Sequence, residues 1–149
     1  MATMGIQYYS GPIEVVAPLE ANSQTFVAGD LVYLNSGAVT LATTSQETQL
    51  FGVALKAGTN VTTGNANIPV CVIAPETLFI AQLDTTTAVA YAGEDYGLNY
   101  TSGSMSVDLG DTSSTSVRIE KLDTRDAVGT SGGRVVIRFQ PATMQFMAT

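Results

Sequence analysis

The stretch Ala28 to Ala42, AGDLVYLNSGAVTLA, decides the fold class. Leu31 to Leu34 and Ala38 to Leu41 suit strands. Asn35-Ser36-Gly37 between them supplies residue types that accept the positive φ angles of a tight turn, so the stretch reads as a β-hairpin. Much of it returns as AGEDYGLNYTSGSMSV, Ala92 to Val107. Ala28-Gly29 matches Ala92-Gly93, Leu34-Asn35 matches Leu98-Asn99, and Ser36-Gly37 matches Ser102-Gly103 after a two-residue insertion. Convergent turn chemistry and an internal duplication both account for the match. Either way, two equivalent hairpins describe a pseudo-symmetric β-unit.

The remainder of the chain has the same character. No window shows a sustained apolar recurrence at helical spacing, whereas period-two alternation is frequent. In FGVALK, Phe51, Val53 and Leu55 are expected on one face and Gly52, Ala54 and Lys56 on the other. In SVRIEK and RVVIRF, the apolar Val117, Ile119, Val135, Ile137 and Phe139 point inward and the charges outward. These two strands read as neighbours or near neighbours in one antiparallel sheet, where Glu120 could pair across strands with Arg134 or Arg138. NIPVCVI and TLFIAQL are apolar on both faces, as in strands covered on both sides, with a turn at Pro75-Glu76. Pro69 cannot donate to a ladder and belongs at an edge or a strand start. LDTRDAV, Leu122 to Val128, is the one place where a helical turn is expected. The fold class is therefore all-β, a compact antiparallel β-sandwich or β-barrel with extended terminal segments. The expected organisation is an N-terminal arm over residues 1–10, a single β domain over 11–140 and a C-terminal tail over 141–149.

Composition narrows the function. Charged residues are only 13% of the chain, and Thr, Ser, Asn and Gln supply a neutral polar surface of the kind a β-protein turns to solvent. Net charge is −7, and the six Lys and Arg form no cluster, which argues against direct binding of a phosphate backbone. No run approaches a membrane span, and MATMGIQYYSG lacks the layout of a secretory signal, so synthesis in a cytoplasm is expected. The lone Cys71, inside PVCVIA, allows no internal disulfide and reads as a small buried hydrophobe.

The chain has no His, which removes the commonest general base and metal ligand. The acid pairs Glu94-Asp95, Asp108/Asp111 and Asp123/Asp126 lack calcium-loop spacing and read as solvated loop charge. VGTSGGR fails the phosphate-loop pattern and reads as a connection into the last strand. No catalytic residue, cofactor or metal is expected. The chain ends concentrate Met and aromatic residues, a composition typical of interface cores. Met4, Ile6, Tyr8, Tyr9, Met144, Phe146 and Met147 are therefore the candidate contact residues.

FVAGDLVYLNSGAVTLA followed by LFGVALKAG, Phe26 to Gly58, resembles the capsid decoration (cement) proteins of tailed bacteriophages, which carry a G-D-L-V hairpin and then a G-V-A-L strand. A weaker echo lies in KLDTRDAVGTSGGRVVIRF. The resemblance implies a virion protein on the outer capsid surface. It would bridge subunits of the major capsid protein, stiffen the shell against packaged DNA, and stand with neighbouring copies of itself as a homotrimer or threefold cluster, with no catalytic role. Two other readings carry distinct features. Six Tyr beside Asn- and Thr-rich loops suit a receptor- or glycan-binding module of a fibre or bacterial surface, and Asp108 with Asp111 would be the acid pair of an enzyme.

Overall fold

The hairpin forms as read. In the computed structural model, which describes residues 4–145, strands β3 (Leu31–Asn35) and β4 (Ala38–Leu41) pair antiparallel. Ser36 and Gly37 turn between them with φ of 51° and 84°. Positive φ at both central residues is the geometry whose twist matches that of the flanking strands. The second hairpin forms as well, from β8 (Asp95–Asn99) and β9 (Ser106–Asp108), with Leu98 opposite Val107 as Leu34 is opposite Val39.

Each hairpin is the centre of a larger repeat. Strands β2 (Val15–Val16), β5 (Gly52–Ala54) and β6 (Val70–Val72) join the first hairpin in the sheet order β2-β6-β5-β3-β4. Strands β7 (Leu78–Leu83), β10 (Val117–Leu122) and β11 (Arg134–Phe139) join the second in the order β7-β11-β10-β8-β9. Taken in chain order the two arrangements are the same. Their hydrogen bonds also correspond. Gly29 N–H donates to Ala54 and Ala54 N–H to Asp30 (2.8 and 2.9 Å), while Gly93 N–H donates to Ile119 and Ile119 N–H to Glu94 (2.6 and 3.0 Å).

A parallel contact between the first and third strands brings each sheet round on itself. In the second unit β7 pairs with β9, Leu83 beside Val107, and closes a five-stranded barrel. In the first unit a single parallel bridge, Glu20 beside Val39, stands at the equivalent place. The body is thus two five-stranded units in tandem. Strand β1 (Gln7–Ser10) is added antiparallel to the outer edge of β7.

Two apolar clusters hold the units. Phe26, Val32, Val39, Phe51, Ala54, Ile68 and Val70 form a core within the first unit. The larger cluster fills the second unit and continues across to Leu31, Val53 and Cys71 of the first, so the halves share one core. Shared packing corrects the expectation for FGVALK. Val53 faces the shared core, Phe51 belongs to the first unit's own core, and Leu55 is exposed. The strand lies between two apolar layers and is covered on both faces. Strands β6 and β7 are covered in the same way, as read, with the turn at Pro75-Glu76 and Pro69 just before β6. In β11, Val136 is buried along with Val135, Ile137 and Phe139, so its outer face is less polar than alternation implies.

The expected helical turn at Leu122 to Val128 is not there. Leu122 ends β10, and Asp123 closes a tight turn by accepting from Arg125 N–H through its side chain (2.9 Å) and from Asp126 N–H through its carbonyl (3.2 Å). Asx-type bonding of this kind competes with helix. Short 3₁₀ turns occur instead at Thr44–Gln46, Val89–Tyr91 and Pro141–Thr143.

Candidate interaction surface

Residues 5–6 and 143–145 are stitched into the body. Ile6 N–H donates to Gly29 O (2.9 Å), and Gly5 passes so close to Gly29 that a Cβ on Gly29 would lie 2.7 Å from the Gly5 Cα. A backbone crossing this tight requires glycine, and Gly29 also has a φ of +95°. At the other end, Leu50 N–H donates to Thr143 O and Gln145 N–H to Leu50 O, each at 2.8 Å. The Gln145 side-chain amide meets both backbone groups of Leu34, accepting at 2.9 Å and donating at 2.8 Å. It occupies the edge of β3 as a strand residue would.

The candidate contact residues consequently divide. Ile6 and Met144 are buried in the protein's own core, which corrects their assignment as contacts: burial that a partner would have provided is supplied from within. Met4 is half-buried, with its N–H donating to Gln82 Oε1 (2.8 Å). Tyr8 and Tyr9 stay exposed on β1, Tyr9 beneath the Lys121 ammonium at 5.3 Å. Phe146 and Met147 lie outside the described residues.

Alternation in a segment between two prolines reveals what the reading of the ends misses. In IEVVAPL, Ile13, Val15, Ala17 and Leu19 recur every second residue, and all four are exposed. Pro12 and Pro18 mask the strand signal of this stretch. It nevertheless runs beside β6, from Glu14 O accepting Val72 N–H to Glu20 N–H donating to Ala66 O. A groove of about 310 Å³ lined by Pro12, Ile13, Glu14, Val72 and Ala74 borders the stripe. A second, of about 190 Å³, separates Ile6 to Tyr8 from Ala28, Gly29, Ala54 and Leu55. Exposed apolar residues gathered on one face mark a binding surface more than single ones do.

The charged groups tie strands and loops of the body to one another. All four arginines are paired: Arg118 to Asp95 (2.8 Å), Arg125 to Asp123 (2.5 Å), Arg134 to Asp126 (2.8 Å) and Arg138 to Glu120 (2.7 Å). The expected cross-strand pair of Glu120 is thus with Arg138, and Arg134 turns to Asp126. Asp111 accepts from Ser113 and Ser114 N–H (3.1 and 2.9 Å), and Asp108 from Gly110 N–H (3.0 Å), so each caps its own loop. Among the described residues no group of three His, Cys, Asp or Glu is placed to hold a metal ion. Burial pushes the Cys71 thiol up, as suits a small hydrophobe. Tyr33, Tyr91, Tyr96 and Tyr100 are half-buried and pack against the core.

The ion pairs set an acid response. Hydrogen bonding to Arg134 holds the Asp126 carboxyl at about 2, below the ordinary 3.8. Arg118 lowers Asp95, Ser114 N–H lowers Asp111 and Arg125 lowers Asp123. Depressed carboxylates bind protons more weakly folded than unfolded. Their stabilisation is therefore complete above the ordinary value and lost as pH falls towards the folded one. Thermal melts of wild type and Asp126→Asn should differ at neutral pH and converge as pH drops from 3.8 to about 2.

No protein-family model and no curated protein sequence matches this chain.

Proposed function

We propose that this protein is a structural decoration protein of a tailed-phage capsid. It binds the outer surface of the icosahedral shell, bridges subunits of the major capsid protein, stabilises the shell with neighbouring copies of itself, and performs no catalysis. The observation that carries the reading is the exposed apolar stripe Ile13, Val15, Ala17 and Leu19, on a body whose arginines are all engaged with its own carboxylates. A rigid body with such a face suits binding rather than chemistry. The segment that resembles decoration proteins, Phe26 to Gly58, supplies the hairpin and β5 at the centre of the same unit.

The charge supports an outer location. Every arginine is paired, and among the described residues Lys56 and Lys121 are the basic side chains outside the ion pairs, so the net charge of −7 stands against DNA. Modest affinity per copy suffices on a lattice, because neighbouring copies raise one another's effective concentration. A ligand that prefers the closed shell to its free subunits stabilises the shell by mass action.

Co-sedimentation with bare capsids of the same phage tests the reading. Wild-type protein should pellet with the shells at micromolar concentration and Leu19→Lys should stay in the supernatant. No pelleting of the wild type overturns the proposal. Point variants serve better than removing residues 1–9, which would take out the buried Ile6 and most of β1.

A further inference from the structure

The two units differ at one equivalent place. The outer edge of β7 is covered by β1, with Gln7 opposite Ile80 and Tyr8 opposite Phe79. Among the described residues the corresponding edge of the first unit, on β2, carries no strand: β2 ends the five-stranded sheet, and the chain beyond it meets β4 at Val39 through Leu19 to Ala21. Glu14 and Pro18 carbonyls turn towards β6, accepting from Val72 and Ile68 N–H at 2.9 Å each. Val15 lies between them in the antiparallel alternation and directs its amide groups to the open side. Among the described residues the other strands at the ends of the two sheet orders are β1, β4 and β9; β9 is paired to β7 and β4 is met at Val39 by the backbone of Leu19 and Ala21, which leaves the outer edge of β1.

These two open edges match in chemistry. β1 is uncharged and presents Tyr8 and Tyr9, 38% and 40% exposed. β2 presents Ile13 and Val15, 55% and 50% exposed, with Glu14 the one charge beside them. Unpaired apolar edges are templates for strand addition; β1 shifts register between Tyr8 and Ser10, and Lys121 stands over its Tyr9 ring at 5.3 Å. The strand already covering the equivalent edge shows what fits: a short, uncharged, antiparallel strand bearing aromatic residues.

We propose that the open edge of β2 is covered by the outer edge of β1 from a second copy of this chain, a head-to-tail contact that runs the six-stranded sheet of one copy into the five-stranded sheet of the next. The contact is heterologous, because each copy offers two different edges, and it closes into a ring where the rotation allows. It deepens the self-association in the function proposed above and rests on that part of it, while shell binding is read separately.

Sedimentation velocity tests the contact at concentrations up to about 100 µM, where even micromolar affinities are filled. Wild type should form a closed oligomer. Val15→Lys and Tyr9→Glu, each spoiling one edge, should be monomeric alone. Mixed, they should form a one-to-one pair, since the first keeps an intact β1 and the second an intact β2. Circular dichroism and melting of both variants confirm that they fold. A monomeric wild type overturns the proposal, and so does a Tyr9→Glu protein that still associates while Val15→Lys does not, the signature of β2 pairing with itself. Co-sedimentation with capsids by a monomeric wild type, lost in Val15→Lys, assigns the edge to the shell subunit and overturns this contact while leaving the decoration function standing.

Discussion

Asp30→Ala is expected to destabilise the fold by about 3 kcal/mol or more, the range for buried, charge-assisted hydrogen bonds whose partners are left unmet. Asp30 is completely buried. Its Oδ2 accepts from Val27 N–H (3.0 Å) and from the Ser102 hydroxyl, and its Oδ1 accepts from Gly103 N–H (2.8 Å). The carboxylate that opens the first hairpin therefore holds the loop of the second, and removing it strands backbone donors on both. Asp108→Ala, whose carboxylate caps only its own exposed turn, should cost about 1 kcal/mol. Denaturant midpoints of the two variants measure the contrast. Equal shifts would refute the role of Asp30 as the tie between hairpins.

Phe139→Ala should be costlier still, about 3–5 kcal/mol, as for buried aromatic truncations in general. Phe139 and Phe79 are fully buried, edge to face, with ring centroids 5.4 Å apart at 80°. Truncation leaves a cavity and forfeits the aromatic pairing, worth about 0.5–1.5 kcal/mol beyond burial. Against a total stability of about 5–15 kcal/mol this brings the domain close to unfolding. Since Leu31, Val53 and Cys71 of the first unit lie in the same cluster, both units should melt in one transition at the lower temperature. Two separated calorimetric transitions would show that the units stand independently.

Much of this was legible from local chemistry. Ser36-Gly37 marked a turn because few residue types take positive φ at both positions, and Val117, Ile119, Val135 and Ile137 marked a paired sheet because alternation places them on one face. Cys71 read as buried because both its neighbours in the strand are Val. The candidate surface was less legible. Ile6 and Met144 looked like contacts because terminal apolar residues signal burial without saying by what, and here the body itself buries them. The stripe from Ile13 to Leu19 was hidden by its flanking prolines, which weaken a strand pattern although the backbone still runs extended beside β6.

By itself, then, the sequence determined the all-β class, the two hairpins and the absence of histidine chemistry, because turn propensity, alternation and residue inventory act over a few neighbouring residues. Tertiary structure alone decided that the hairpins are the centres of two equivalent five-stranded units, that Asp30 joins one to the other, and that β2 keeps an open edge while β1 covers the same edge on β7. Those features rest on pairings between residues far apart in the chain, such as Glu20 with Val39, Leu83 with Val107 and Asp30 with Gly103, and no local preference encodes which distant segment arrives.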